Sequence, residues 1–283
     1  MPDIIYVIYA LLQGIVQGIT EWLPVSSTGH LILLDSLFSG ALDPSVLTDE
    51  FKEMFDVVIQ AGSIAAIVVL YFRRLNPFSA DKSSGERRET LGLWAKILVA
   101  AVPAGVVGFL FDDLLGKTVF APQSAVYVVA SSLFIWGVFF IVAERRRVRC
   151  ETRRIDLWRA LGIGAFQIFA LIPGTSRSGS TILGATLMGV PRVDAAEFSF
   201  FLAIPVMAGA SGLKIVKYAA FGGASLSPTQ LSVLLIGCAA SFLVSCASVR
   251  FLVAFVRRHS FEPFGWYRIA ISLLVLLRLS LAG

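Results

Sequence analysis

The sequence PVSSTGH, at positions 24–30, interrupts a long apolar segment with three hydroxyl side chains, a glycine and one of the two histidines of the chain. A proline cannot continue a helix, because it has no N–H to donate and its ring clashes with the preceding turn. The stretch therefore predicts a break within the apolar segment 4–38. A second stretch, PGTSRSG at 173–179, predicts a similar break within the apolar segment 158–190.

The rest of the chain has the composition of an integral membrane protein. Of its 283 residues, 57% are hydrophobic and 15% are charged, whereas a soluble domain usually carries about 25% charged residues. No polar stretch is long enough to form a soluble domain of its own. Membrane lipid is therefore the expected surrounding, and the chain is expected to cross it several times.

Apolar runs of spanning length, roughly 17 to 25 residues, recur along the sequence. The six predicted transmembrane helices are 54–72, 96–111, 124–143, 196–212, 231–249 and 267–282. The two interrupted segments do not fit this series.

The basic residues are distributed unevenly between the connections. Lysine and arginine number 17 in the connections 73–96, 144–159 and 250–268, and 4 in the connections 39–53, 111–124 and 213–230. This asymmetry places the first group in the cytoplasm, and it explains the net charge of +5 without a nucleic-acid partner. With these orientations, each interrupted segment returns to the side from which it entered. Both segments are therefore predicted to be re-entrant helix–loop–helix hairpins.

The two halves of the chain also resemble each other. GIVQGITEWLPVSSTGH aligns with IGAFQIFALIPGTSRSG when Pro24 is paired with Pro173. We predict a single all-α membrane domain, 1–283, built from two repeats of opposite orientation: 1–143 with hairpin 4–38, and 158–283 with hairpin 158–190. Inverted repeats with broken helices place a polar site near the membrane midplane. Unwound backbone at that depth must be surrounded by protein or water, so the two hairpins are expected to face each other.

The first hairpin carries polar side chains on one helical face. Gln13, Gln17 and Glu21 recur every four residues and form a stripe. An ionisable residue inside a membrane segment is a functional candidate by default; the alternative for Glu21 is a solvated position near an interface. Pro24 is expected to end this helix, and the next helix is expected to begin near Gly29.

The loop itself has the composition of an anion site. Ser26, Ser27 and Thr28 offer hydroxyl and amide groups, and the start of a following helix adds free N–H groups. His30, one turn into that helix, can exchange a proton near neutral pH. The alternative for His30 is a core histidine with its hydrogen bonds satisfied.

The second hairpin carries a positively charged side chain. After Pro173 and Gly174 come Thr175, Ser176, Ser178 and Ser180, and Arg177 is the sole basic residue between Arg159 and Arg192. The planar fork of arginine suits phosphate oxygens. The alternative is a structural salt bridge from Arg177 to Glu21 or Glu197.

Two further acids are predicted to begin membrane spans. Asp56 and Glu197 occupy corresponding positions in the two halves of the sequence. Each is either a cation ligand or a carboxylate that stabilises a helix N-terminus.

Together these groups fit phosphoryl transfer on a lipid, where catalysis consists mainly of positioning and charge neutralisation. A serine nucleophile needs a base and donors for the developing charge. A second hypothesis is a carrier that moves a polyprenyl phosphate across the membrane, because inverted repeats are a transporter architecture.

The motifs resemble those of a known family. QGITEWLPVSSTGH and PGTSRSG are similar to the two signature regions of the bacterial undecaprenyl-diphosphate phosphatases, the bacitracin-resistance family: (E/Q)xxxE followed by PxSSTGH, and PGxSRSG. The resemblance implies hydrolysis of undecaprenyl diphosphate to the monophosphate that carries peptidoglycan precursors. It also implies a divalent cation, Mg²⁺ or Ca²⁺, and a site in the bacterial cytoplasmic membrane that opens to the periplasm.

The same resemblance assigns roles to individual residues. Glu21, Ser27, His30 and Arg177 match the catalytic positions, and Glu21 is also the expected metal ligand. The residues expected to bind the substrate are Gln17, Ser26, Thr28, Gly29, Gly174, Thr175, Ser176, Ser178 and Gly179. Many members have glutamate at position 17. Glutamine cannot act as a base, so Glu21 is expected to take more of the acid–base and metal work.

The expected reaction is attack of Ser27 on the terminal phosphorus, with Glu21 or His30 handling the proton and Arg177 binding the diphosphate. Direct attack by metal-bound water is the alternative. The expected partner is a polyprenyl diphosphate lipid. The sequence leaves the oligomeric state open, with a homodimer as one expectation.

Overall fold

The structure, a computed structural model, describes residues 3–38, 40–118, 122–146, 154–221 and 226–282, without the side chains of 112–118, 122–125, 221 and 278–282. Every regular element in these residues is helical, as predicted. The helices are α1 Ile4–Thr20, α2 Ser27–Leu37, α3 Asp49–Leu70, α4 Phe72–Leu75, α5 Ser84–Thr118, α6 Pro122–Arg145, α7 Leu157–Gln167, a 3₁₀ helix Ile168–Leu171, α8 Arg177–Leu187, α9 Arg192–Phe221, α10 Pro228–Val256 and α11 Glu262–Ala282.

Five stretches of helix in the described residues are long and apolar enough to cross a membrane. They are Asp49–Leu70, Ser84–Phe111, Val126–Arg145, Arg192–Ala220 and Pro228–Val256. The sixth predicted span, 267–282, falls within α11, whose side chains from 278 onward lie outside the described residues. The chain is therefore an all-helical protein with several spanning helices.

Two of the long helices begin earlier than their apolar runs suggest. α3 begins at Asp49, because the Thr48 side chain accepts a hydrogen bond from the Phe51 amide at 3.2 Å and caps the helix. α9 begins at Arg192. Asp56 and Glu197 consequently lie beyond the first turn of their helices, and the prediction that they stabilise helix N-termini is wrong.

The described chain divides into two compact units. The first comprises Met1–Trp22, His30–Phe72 and Ala203–Arg250; the second comprises Leu23–Gly29, Arg73–Leu202 and Phe251–Gly283. Each unit takes segments from both halves of the sequence. The inverted repeat itself stays a prediction.

In the first unit, small residues bring helix backbones into close contact. A Cβ atom added to Gly14 or Gly18 of α1 would overlap backbone oxygens of α10, and one added to Gly62 of α3 would do the same. Hydroxyl groups join these helices too: Ser63 Oγ lies 2.7 Å from Ser241 Oγ. Close approach through small residues, with hydroxyls bonded across the interface, is typical of packing in membranes.

In the second unit, α11 lies directly against α6. A Cβ at Gly137 would lie 2.8 Å from the Gly265 oxygen, and one at Gly265 would lie 2.7 Å from the Gly137 oxygen. Further along α11, the buried Ser272 hydroxyl donates to the Ala130 oxygen at 2.7 Å. These contacts fix the position of α11 along α6, and this helix pair supports the two loops described next.

Candidate active site

The two loops predicted from the sequence are in contact within the second unit. The Ser178 hydroxyl, in the first turn of α8, donates to the Leu23 oxygen at 3.2 Å. Arg268 donates to the Pro24 oxygen of the first loop at 3.1 Å and to the Gly174 oxygen of the second at 2.8 Å. The segments before α2 and before α8 therefore meet, which is what the sequence predicts.

The two loops share an unusual backbone conformation. Ser26 and Ser176 both have φ of 75°, and they are the only described residues other than glycine with positive φ. Each immediately precedes a helix, α2 or α8. A left-handed backbone at such a residue costs on the order of 1–3 kcal/mol and is concentrated at functional sites. At Ser176 part of this cost is compensated, because the Ser176 side chain caps α8 by accepting a hydrogen bond from the Gly179 amide at 3.1 Å.

The positive-φ residues of the two loops are offset by one position from the sequence alignment. The sequence comparison pairs Pro24 with Pro173, whereas the backbone pairs Ser26 with Ser176. The reason is that the second loop has one more residue between its proline and its helix.

The first loop is also placed differently from the prediction. α1 ends at Thr20, four residues before the predicted end at Pro24. α2 begins at Ser27, two residues before the predicted Gly29. Ser27 is therefore the first residue of a helix and not a loop residue, and His30 lies in the first turn of α2.

Close packing on α6 accounts for two of the predicted glycines. A Cβ at Gly29 would lie 3.1 Å from Val129 Cγ1, and a Cβ at Gly174 would lie 2.5 Å from the Val129 oxygen. Gly174 also has φ of 86°, which side chains rarely tolerate. The first turn of α2 and the second loop therefore pack against the same residue of α6.

Exposure separates the hydroxyl groups of the loops into two sets. Ser26, Thr175 and Ser178 are buried, whereas Ser27 and Ser176 are half-buried. Thr28 is exposed and Arg177 is half-buried. The groups that a ligand could reach thus lie at the first turns of α2 and α8, where free amides and the helix dipole favour an anion.

The side chain of Arg177 is oriented by α9. Its Nη1 donates to the Ser199 oxygen at 2.7 Å and lies 3.4 Å from Ser199 Oγ. Ser199 is buried, and its hydroxyl shares a 2.7 Å hydrogen bond with Thr181 Oγ1. Glu197, one of the two acids predicted as an alternative partner of Arg177, forms an ion pair with Arg74.

In the first unit, the predicted polar stripe on α1 is buried. Glu21 is 6% exposed, which contradicts the alternative of a solvated carboxylate. Gln17 Nε2 donates to Glu21 Oε2 at 2.9 Å. Gln17 Oε1 and both amide atoms of Gln13 have no hydrogen-bond partner among the described residues. His30 also belongs to this unit and is half-buried.

Sequence patterns do not identify two residues of the second unit that contact the site. Ser199 resembles any small residue within an apolar span. The charge pattern assigns Arg268 to a cytoplasmic connection, but it lies in α11 with 0% exposure. Its one sequence signal is its position at the start of the predicted span 267–282.

Comparison with known proteins agrees with these motifs. The family model of bacitracin resistance protein BacA matches residues 10–274. The chain belongs to the BacA family. The matched region includes both loops and Arg268.

Curated relatives match nearly the whole chain. A protein of Desulfitobacterium hafniense is 46% identical over 278 residues, covering 96% of this chain and 95% of that protein. One of Enterococcus faecalis is 45% identical over 282 residues, covering 97% and 98%. One of Acetivibrio thermocellus is 47% identical over 277 residues, covering 95% and 96%. Each of the three is named undecaprenyl-diphosphatase.

The described residues contain no group of three or more histidine, cysteine, aspartate or glutamate side chains placed to hold a metal ion. Glu21 and Gln17, whose side chains are hydrogen-bonded to each other, do offer carboxylate oxygens and the unpartnered Gln17 Oε1. Mg²⁺ is commonly held by one or two carboxylates together with substrate phosphates and water. This pair of side chains fits a cation of that kind.

Proposed function

We propose that this chain is an undecaprenyl-diphosphatase, which removes the terminal phosphate of undecaprenyl diphosphate. The main support is the contact between the two loops, which brings the N-termini of α2 and α8 together with Ser27 and Arg177. Two helix N-termini and a guanidinium suit the several negative charges of a diphosphate. The names of the relatives support the same substrate. The carrier hypothesis finds no support in them.

In the proposed reaction, Ser27 attacks the terminal phosphorus. Its Oγ–P bond forms while the bond from phosphorus to the bridging oxygen breaks, and undecaprenyl phosphate leaves. Water then cleaves the phosphoserine and releases inorganic phosphate. Ser27 suits this role because it is half-buried and lies at a helix N-terminus, where amides neutralise developing charge. Direct attack by water, with Ser27 only binding the phosphate, is the alternative.

The proton of Ser27 needs an acceptor. Glu21 and His30 are proposed because they flank the first loop in the chain, and His30 lies three residues after Ser27 on α2. Residues three apart on a helix are neighbours on its surface.

Arg177 is proposed to bind the diphosphate. Its hydrogen bonds to Ser199 hold the guanidinium in one orientation before substrate arrives. A donor held in place loses little freedom when the charged group binds, which favours both binding and catalysis.

A divalent cation, Mg²⁺ or Ca²⁺, is proposed to be held by Glu21 and Gln17 Oε1 together with the substrate. When bound, it would neutralise phosphate charge.

The proposed topology has six spanning helices and two re-entrant hairpins, 4–38 and 158–190, in the bacterial cytoplasmic membrane. The site would open to the periplasmic side, where the loop charges place the entry of the first hairpin.

Phosphate release from a prenyl diphosphate by purified protein in detergent tests the function, because no transport takes place there. We expect Ser27→Ala to lower kcat by about 1,000-fold or more, as for loss of a nucleophile. Ser36→Ala, on the exposed part of the same helix, is the matched control and should leave kcat unchanged. Near wild-type turnover by Ser27→Ala would exclude the nucleophile role. A phosphoserine trapped by rapid quenching would exclude direct attack by water.

A further inference from the structure

Arg268 is an arginine buried in an environment that does not neutralise it. It has 0% exposure, and none of the ion pairs among the described residues includes it. A buried charge without a paired countercharge is costly, since it has left water without a compensating ion. Such a residue is expected to serve a purpose other than packing.

Its hydrogen bonds are made entirely to the backbone of the two loops. Nη1 donates to the Pro24 oxygen at 3.1 Å, and Nη2 donates to the Gly174 oxygen at 2.8 Å and to the Thr175 oxygen at 2.9 Å. One guanidinium therefore holds the last turn before α2 and the last turn before α8 together. Only the planar fork of arginine presents several donors in fixed directions at once.

The guanidinium also lies beneath the start of α8. A Cβ at Gly179, in the first turn of α8, would be 3.4 Å from Arg268 Nη1. The positive charge of the guanidinium therefore lies close to the N-termini of α2 and α8, which carry partial positive charges of their own. This concentration of positive charge is unfavourable without an anion and becomes favourable when one binds.

We propose that Arg268 is a positioning residue for the diphosphate. It holds the two loops at the separation at which the first turns of α2 and α8 face the same ligand. The proposal rests on the proposed function for the identity of the ligand, but the link between the loops can be measured without any activity.

Three variants test the proposal. Arg268→Met removes the charge and all three hydrogen bonds at similar volume. Arg268→Lys keeps the charge but cannot reproduce the fork. Ser272→Ala is the matched control, because Ser272 is also fully buried on α11, one turn later, and its hydroxyl bonds to α6 and not to the loops.

The first measurement is the distance between the loops. Spin labels are attached to the variants Thr28→Cys and Ile172→Cys, both at exposed positions, after replacement of Cys150, Cys238 and Cys246. With Arg268 present, pulsed EPR should give a narrow distance distribution. We expect it to broaden in Arg268→Met and in Arg268→Lys, and to stay narrow in Ser272→Ala.

The second measurement is phosphate release from a prenyl diphosphate, made on the variants without labels. We expect kcat/KM to fall by about 100-fold in Arg268→Met, by about 10-fold in Arg268→Lys, and by no more than about threefold in Ser272→Ala. This partial rescue by lysine distinguishes a positioning role from a packing role. If Arg268 served only for packing, Arg268→Met would be tolerated better than Arg268→Lys.

The proposal is overturned if Arg268→Lys keeps both a narrow distance distribution and wild-type kcat/KM. It is equally overturned if Ser272→Ala behaves like the Arg268 variants. Should Arg268→Met fail to fold, the lysine variant and the control still decide. If the unaltered protein releases no phosphate, the proposed function fails, while the distance measurement continues to test the link.

Discussion

Replacement of Gln17 by leucine would remove a buried hydrogen bond from Glu21 and, with it, the amide oxygen proposed to bind the cation. The bond joins Gln17 Nε2 to Glu21 Oε2 at 2.9 Å, and water cannot readily replace it because Gln17 is buried and Glu21 is nearly so. A hydrogen bond to a charged group contributes about 1.5–3 kcal/mol, and about 1.4 kcal/mol corresponds to a tenfold change. If Glu21 takes part in the reaction, loss of this hydrogen bond alone should lower kcat/KM by roughly 10- to 150-fold in phosphate release from a prenyl diphosphate.

Gln13→Leu provides the control for this prediction. Gln13 lies one turn earlier on the same face of α1, is equally buried, and has no hydrogen-bond partner for its amide among the described residues. Its replacement leaves the hydrogen bond between Gln17 and Glu21 intact, so kcat/KM should stay within about threefold of wild type. The reasoning is refuted if Gln17→Leu also stays within that range, or if the two variants lose activity equally.

Three further outcomes are expected. In thermal denaturation, Gly174→Ala should lower the free energy of unfolding by at least about 2 kcal/mol, because the φ of Gly174 is 86° and an added Cβ would lie 2.5 Å from a carbonyl oxygen of α6. Gly105 has open space around it, so Gly105→Ala should cause no loss of stability in the same measurement. Glu144→Gln should cost about 1–3 kcal/mol, since Arg192 donates to both of its carboxylate oxygens, whereas Glu262→Gln, which breaks a more exposed ion pair, should cost less than about 1 kcal/mol. Chelation by EDTA should abolish phosphate release, and added Mg²⁺ or Ca²⁺ should restore it; full activity after chelation would contradict the proposed cation.

The two loops could be located from the sequence because their composition conflicts with their surroundings. A proline followed by small hydroxylated residues cannot continue a helix, and these breaks lie in the middle of apolar segments. Their boundaries could not be located, since composition does not specify the backbone angles at Ser26 and Ser176 that begin the next helices. This is why the sequence predicts a helix that begins near Gly29, whereas the helix begins at Ser27.

The residues that support the loops left little trace in the sequence. Arg268 and Ser199 act through backbone carbonyl oxygens, and every residue has one of those. A contact between side chains can be anticipated from complementary residue types, but a contact to the backbone depends only on where the chain passes. Arg268 also follows a basic stretch, so the sequence pattern attributes its charge to the excess of basic residues in cytoplasmic connections.

The bonds from Arg268 to carbonyl oxygens have a consequence for how the loops tolerate change. The oxygens of Pro24, Gly174 and Thr175 are present whatever side chain each residue carries. A substitution that preserves the backbone path leaves these bonds intact, as Thr175→Val would. The chemistry of the loop surface can thus be altered one residue at a time while its framework stays in place, which makes this site a practical starting point for changing which phosphorylated lipid it accepts.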